Sequence, residues 1–425
     1  MKKKSVGVIG AGIIGINCAI ELQALGYSVT IIDKDGIGEG CSKKNAGHFA
    51  TEQVFPLADP KVLFQIPKML LDPLGPMALS PKYFPKAFPW FLRFIFNMRK
   101  KTFLKNSDAL KMINNCAIDY YLPLLEKANA EHLLTKLGSL LVFEQTPFKR
   151  VQQEFEHYRN AGVPVELLKQ DELRSLEPNL STNVTYGLYF TDVAHTSCPY
   201  EICTALANYG ESLGMNYTRL QVNEIQQHND CVKLSCANSH GATETSLEFD
   251  HVVVAAGAWS KKLLNQLGYQ LPLEVERGYS LDVYSTNKNP ISRPIASFNR
   301  KFIMTPMAHG LRLSGTVEFA GLKQKANMKR AEMLYEHAKD VLNSPPISNE
   351  KTSNEEQKWM GFRPSLPDSL PVIGKAPKHN RICFALGHQH LGLTLGAITG
   401  KLIGQVVSKQ KTDISLKPYC ISRFN

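Results

Sequence analysis

The 425-residue chain carries nine cysteines but no CxxC pair, no run of 18 apolar residues, no run of five Lys or Arg, no internal repeat and no low-complexity tract. Each absence removes a class of function. Without CxxC there is no thioredoxin-type redox motif and no zinc ribbon. Cys198 and Cys203 are too far apart for a zinc knuckle and lack a second Cys or His pair, so no metal is expected. Without a long apolar run there is no spanning helix. The formal net charge of +11 attracts nucleic acid, acidic lipid headgroups and small carboxylates alike. Basic residues are not interleaved with aromatics in a strand-binding pattern, however, so nucleic acid is not the expected partner. Three lysines lead straight into a strand with nothing resembling a signal peptide, and the odd cysteine count gives no disulfide framework. A reducing cytoplasm is expected.

What is present starts at the N-terminus. Val6 to Ile9 is a short apolar strand, GAGIIG follows at once, and Ile13 to Leu25 has helical periodicity ending at Gly26. A second apolar run, Val29 to Ile32, ends on Asp33 and completes a βαβ unit. Gly10, Gly12 and Gly15 form GxGxxG: the first permits the tight turn, the second lets a pyrophosphate approach the backbone, and the third allows close packing of helix on strand. The helix start offers unpaired amides to phosphates. Asp33 falls where an acid bonds ribose hydroxyls, which disfavours NADP and leaves NAD and FAD both open. The expected dinucleotide contacts are Gly10, Gly12, Ile14, Gly15, Asp33 and Lys34.

A small, polar loop runs from Gly36 to Ala50, and a Pro-rich region with amphipathic helices continues to about Leu137. Gly138 to Phe143 and Val184 to Phe190 read as strands, Tyr200 to Leu213 as a helix, and Gln221 to Ile225 and Val252 to Ala256 as further strands. From Leu273 to Phe319 the pattern is of antiparallel strands. A strand near Ile382 to Leu386 and a helix from about Leu391 to Val407 return to βα form.

The string CSKKNAGH at Cys41 to His48 resembles the loop by which the D-amino-acid oxidase and dehydrogenase superfamily wraps its flavin. RGYSLDV at Arg277 to Val283, GTVEFAG at Gly315 to Gly321, WMGFRPSLPDSLPVIG at Trp359 to Gly374 and LGHQHLGLTLGAITGKLIG at Leu386 to Gly404 all resemble bacterial D-amino acid dehydrogenases, in order along nearly the whole chain. Glycine and sarcosine oxidases share a looser version. The resemblance implies noncovalent FAD and a fold of α/β plus α+β type, with a Rossmann-type FAD-binding domain interleaved with an antiparallel-sheet substrate domain. The expected boundaries are 1–50, 185–265 and 355–425 for the FAD-binding domain. Residues 51–184 and 266–354 then form the substrate-binding domain with its helical insertion.

The resemblance also assigns roles. Ser42, Asn45, Ala46, Gly47 and His48 wrap the flavin, Val222 lies by adenine, and Gly257 forms a flavin-facing turn. Gly387, Gly392, Leu393 and Thr394 frame the final helix start, whose amides face the flavin ring. Arg363 in GFRP clamps the substrate carboxylate, since a planar guanidinium grips a carboxylate through two parallel bonds. Tyr279 in RGYS adds a phenolic hydroxyl to that carboxylate, or else bonds backbone as an inward-facing strand residue. His48, His388 and His390 can each approach flavin or substrate, and His390 is taken as the catalytic candidate. Gln389 and His390 stand where many relatives carry a small residue and Gly.

The implied reaction is oxidative deamination of a D-amino acid, with hydride passing from Cα to flavin N5 and an imine hydrolysing to a 2-oxo acid. D-proline or hydroxy-D-proline is the favoured candidate, and a glycine or sarcosine-type amine oxidase or an L-2-hydroxy-acid oxidase on the same fold is the alternative. The acceptor stays open among oxygen, a quinone and another electron carrier, with the basic aromatic segment favouring a membrane-side acceptor. The aromatic and basic segment Tyr83 to Lys101 either packs as a helix on its own domain or lies on the inner face of a membrane, with rings at the headgroup boundary.

Overall fold

The computed structural model describes residues 3–62, 75–238, 244–285, 289–344 and 357–424. Residues 63–74 of the expected helical insertion lie outside the described residues. The apolar run at Val6 makes the strand Ser5–Ile9, which sits inside a six-stranded sheet. The order is Val372–Lys375, Ile382–Leu386, His251–Val254, Ser5–Ile9, Ser28–Asp33, Asn216–Arg219. Every pairing is parallel except that of the edge strand Val372–Lys375. Parallel strands are covered on both faces, which explains the unbroken apolar run of Val252, Val253 and Val254. The helix Ile13–Ala24 is buried on most sides because it packs against both Pro199–Ser212 and Gly392–Val407.

A nine-stranded mixed sheet forms the second layer. Its path is Lys358–Ser365, Glu274–Tyr284, Gly310–Phe319, Phe302–Met307, Ile295–Ser297, Ser139–Glu144, Val184–Phe190, Val165–Lys169, with Met77–Leu79 pairing on Gly310–Phe319. Val184–Phe190, at the expected boundary between 184 and 185, and Lys358–Ser365, within the segment 355–425, both pair antiparallel within this sheet. Both carry half-exposed positions along their length, as suits a sheet with one open face, whereas His251–Val254 and Ile382–Leu386 inside the parallel sheet are buried almost throughout.

A three-stranded antiparallel sheet, Gln221–Gln227, Val232–Ala237 and Glu244–Phe249, and a short pairing of His48–Phe49 with Ala194–His195 complete the strands. The helices Phe84–Asn97, Lys100–Asn114 and Ala117–Lys127 follow the first two strands of the parallel sheet, and Ala117–Lys127 packs on Gly392–Val407. Among the described residues no helix is long and apolar enough to cross a membrane.

Candidate active site

The carboxyl ends of the parallel strands and the inner face of the large sheet enclose a cleft of about 1410 Å³. That exceeds the volume of an ordinary small-ligand pocket and leaves room for a dinucleotide together with a substrate. At one end Gly10, Gly12, Ile14, Asp33 and Lys34 line it, joined by Val222 and Gly257. Gly15 stands behind the wall: a Cβ there would lie 1.9 Å from the Gly10 carbonyl oxygen, so helix and turn approach only because the side chain is absent. Asp33 organises the turn, accepting from Ala11 N at 2.8 Å through one oxygen and from Asp35 N at 2.8 Å through the other. Two carboxylate oxygens offer about four acceptor sites, so capacity for a ribose hydroxyl remains. Ser42 Oγ accepts from Ile13 N at 3.0 Å, which places the loop hydroxyl at the helix start where a phosphate is expected.

The loop bearing Asn45, Ala46 and His48 lines the middle of the cleft. Asn45 Oδ1 accepts from Gly47 N at 2.9 Å, closing a local turn. Arg312 ties this loop to the large sheet: its Nη1 donates to Asn45 O at 2.9 Å, and Nε and Nη2 grip Asp282 at 2.7 and 3.1 Å. Burial opposes ionisation of Asp282, but the bonds from His309 and Arg312 outweigh it and hold the carboxyl well below the usual range. Thr394 does not reach the cleft wall. It is fully buried and its Oγ1 accepts from Ala50 N at 2.9 Å, fixing the loop end on the final helix.

At the far end Arg363 lies half-buried, paired across the sheet with Glu276, and has no hydrogen-bond or ion-pair partner among the described residues. Gly278 makes room for it: a Cβ there would lie 2.2 Å from Nη2. Glu276 is buried, its carboxyl raised by that burial, and it accepts from Ser365 Oγ at 2.6 Å. Gly387, His388, His390, Gly392 and Leu393 form the adjoining wall. Burial, then the charge of Arg363, pushes His390 down to about 4, so it is a neutral imidazole at ordinary pH. Burial pushes His388 down to about 3, with its Nε2 3.0 Å from Thr399 Oγ1, so it braces the helix. Gln389, at φ +52°, staples this wall to the Arg363 strand, donating from N to Pro364 O at 3.2 Å and from Nε2 to Leu366 O at 3.0 Å. The Cys41 thiol, pushed up to about 11 by burial, donates to Phe362 O at 3.0 Å.

Tyr279 corrects the sequence expectation. Its hydroxyl donates to Glu318 Oε2 at 2.6 Å and accepts from Asn327 N at 3.2 Å, and its ring sits in a core with Leu281, Val283 and Leu334. Alternation along Glu274–Tyr284 is the reason: Glu276, Gly278 and Ser280 share a face with Arg363, and Arg277 and Tyr279 take the other. Sequence reasoning missed Ser280, Ser314, Thr316 and Glu52, all on the cleft wall. Period-2 counting from Glu276, the cross-strand partner of Arg363, leads to Ser280.

Whether these residues suit a cofactor can be judged from orphaned groups. Ser280 Oγ, Ser314 Oγ, Thr316 Oγ1, His48 Nε2 and Glu52 Oε2 are buried on this cleft without a hydrogen-bond partner among the described residues. Buried polar atoms in native proteins are paired, so such a set marks where bound groups complete the network. A glycine-rich helix start, an acid at the second strand and a wide cleft meet the demands of a bound dinucleotide.

Comparison with known proteins agrees with this geometry. The family model for FAD dependent oxidoreductases matches residues 5–406. A D-amino-acid oxidase from Bradyrhizobium diazoefficiens is 33% identical over 425 residues, covering 99% of each chain. A D-amino acid dehydrogenase from Vibrio atlanticus is 27% identical, covering 98% of this chain and 99% of that one. The crystal structure of glycine oxidase from Geobacillus kaustophilus superimposes with a TM-score of 0.71 at 21% identity, covering 100% of this chain and 99% of that one, a likeness of fold.

Proposed function

The chain belongs to the FAD dependent oxidoreductase family, and from that premise we propose that it oxidises a D-amino acid to its imine, which water converts to a 2-oxo acid. Bound FAD would supply the acceptor for the substrate's α-hydride, while the amine gives up one proton so that the imine forms. The observation that carries the reading is Arg363, a half-buried guanidinium on the cleft wall with no protein partner among the described residues. Glu276 lies across the strand pair from Arg363 but makes no hydrogen bond to it, so the guanidinium donors stay open, and a substrate carboxylate meets them with two parallel bonds. His390, neutral above about pH 4, accepts a hydrogen bond from the substrate's amino group.

The chain's own groups hold the cofactor in this reading. Asp33 takes the ribose, Gly12 and Ser42 the pyrophosphate, Val222 the adenine side, and the loop from Asn45 to His48 the ring. Gly387, Gly392 and Leu393 place the positive end of the helix Gly392–Val407 beside it. Binding is noncovalent, since the Cys41 thiol is protonated and committed to a backbone carbonyl. D-proline or a hydroxy-D-proline is the substrate we infer first, from the GHQHLGLT segment at Gly387 to Thr394 and from the unpaired hydroxyls of Ser280 and Ser314, which suit a ring hydroxyl.

Anaerobic bleaching of the flavin by D- and L-amino acids, both prolines and hydroxy-D-prolines included, tests the reading. Rapid bleaching by D-amino acids supports it. Bleaching only by sarcosine, glycine or a 2-hydroxy acid replaces the substrate and keeps the fold.

The reading extends to a cytoplasmic protein resting on the inner face of a membrane, with a quinone or other carrier as acceptor. Its support is the helix Phe84–Asn97, where Phe84, Phe88, Leu92, Ile95 and Phe96 are exposed. From 75 to 107 there is no Asp or Glu, and Lys82, Lys86, Arg93, Arg99, Lys100, Lys101 and Lys105 are all exposed. Apolar side chains rimmed by cations alone suit an anionic lipid surface.

A further inference from the structure

Glu52 follows the short strand His48–Phe49 and is 3% exposed, yet it contributes to the wall of the cleft. Its Oε1 lies 3.4 Å from His48 Nε2 and accepts from Gln53 Nε2 at 3.4 Å, both long contacts. Its Oε2 has no hydrogen-bond partner among the described residues, and neither has His48 Nε2. A buried carboxylate left in this state is expensive, and native proteins pair such groups with something. A fixed ion pair with His48 would be shorter and would leave no oxygen over.

The cleft therefore holds two unmet charges of opposite sign: Arg363, which wants an anion, and Glu52, which wants a cation. His390, on the same cleft wall, is coupled to both: burial first and Arg363 next disfavour its protonation, and Glu52 favours it. A molecule carrying a carboxylate and an ammonium on one carbon answers both. Resting on the reading of Arg363 as the carboxylate clamp, we propose that Glu52 is the receptor for the substrate's ammonium group, and so the residue that makes this site prefer an amino acid to an isosteric oxygen analogue. A hydrogen bond between an ammonium and a carboxylate is charge-assisted and stronger than one from a neutral donor. His48 and Gln53 both approach Oε1 of Glu52, so Oε2 is the oxygen left for the ligand.

The test uses holoenzyme and two ligands of one shape, D-proline and tetrahydrofuran-2-carboxylate, whose ring oxygen replaces the ammonium. Binding is read from flavin absorbance: anaerobic stopped-flow reduction gives Kd for D-proline, and spectral perturbation gives Kd for the oxygen analogue. In the wild type D-proline is expected to bind at least about tenfold more tightly. In Glu52→Gln that preference should fall to about twofold or less through weaker D-proline binding, with the analogue's Kd and the flavin content unchanged. Glu52→Asp should restore part of it.

If both ligands weaken equally in Glu52→Gln, the residue merely supports the wall and the proposal fails. It fails also if the preference survives intact. Should the variant lose flavin, the wild-type comparison decides alone, because equal affinity for the two ligands leaves no ammonium receptor. A wild type that no D-amino acid reduces overturns the functional reading instead. The same comparison is then made with whichever amine bleaches the flavin and its oxygen analogue.

Discussion

The guanidinium of Arg363 fills the space that a side chain at Gly278 would take, with a hypothetical Cβ there 2.2 Å from Nη2 and 2.3 Å from Cζ. The two residues lie on adjacent strands and on the same face, so Gly278 acts as the floor beneath the proposed carboxylate clamp.

Two substitutions separate the clamp from its floor. Arg363→Gln should lower kcat/KM about 100- to 1,000-fold, since losing one member of a buried charge pair strands the other. Gly278→Ala keeps the guanidinium but forces it off its seat, and should raise KM by about tenfold or more. Flavin content, read from the visible spectrum, should stay at wild-type level in both. Equal loss of flavin and activity would place Arg363 in the cofactor site.

Arg312 links Asp282 on the large sheet to the carbonyl of Asn45 in the loop expected to wrap the flavin. Its removal leaves the Asp282 carboxylate buried with fewer partners and frees the loop. Arg312→Ala should weaken FAD binding by about 10- to 100-fold, measured by fluorescence on titrating apoprotein with FAD. Substrate Kd in FAD-saturated protein should change little.

The dinucleotide end was legible in the sequence because strand, glycine turn, helix, strand and acid are contiguous over Ser5–Asp33, and local order dictates the geometry. The substrate end was only partly legible. The motif pointed to Arg363, which lines the cleft, but the direction of the Tyr279 hydroxyl, which bonds Glu318, was not readable, because naming a strand does not say which face is inward, and one step of register reverses every side chain. Glu52 was invisible for a different reason. Its burial beside His48 depends on the pairing of His48–Phe49 with Ala194–His195, about 145 positions along the chain, and no local pattern records that. The role of Gln389 was equally hidden, since its two bonds go to carbonyls at Pro364 and Leu366 on another strand.

Burial pushes His388 from its ordinary 6.5 down to about 3, and it is 4% exposed. The unfolded chain takes up a proton as pH falls through 6.5, and the folded protein does not until about 3. The neutral form thus contributes stability that is complete above 6.5 and lost progressively between 6.5 and 3. At pH 5 this one group should cost about 2 kcal/mol relative to pH 7.5. His195, pushed by burial down to about 4, adds in the same direction. Chemical denaturation at both pH values should show the fall, and His388→Gln should shrink it. An equal fall in the variant would exclude His388 as a source.

The helix Phe84–Asn97 separates two contacts by side. Ala87 and Trp90 are buried, with Trp90 5.5 Å from the ring of Phe319, whereas Phe84, Phe88 and Phe96 are exposed, the first two at the rim of the cleft. Changing the outer side should therefore leave the fold intact. Wild-type protein is expected to co-sediment with vesicles containing phosphatidylglycerol and to stay in the supernatant with phosphatidylcholine alone, and added salt should weaken the binding. Phe88→Glu with Phe96→Glu should abolish sedimentation, because each places a charge where an apolar ring would enter the headgroup layer. Lys100→Ser with Lys101→Ser should lower lipid affinity by about 10- to 30-fold, at roughly 1 kcal/mol for each cation near an anionic surface. Turnover with a water-soluble dye should be the same for the wild type and the double serine variant, since neither Lys100 nor Lys101 lines the cleft. Equal sedimentation of the wild type and the double glutamate variant would assign the exposed rings to another contact.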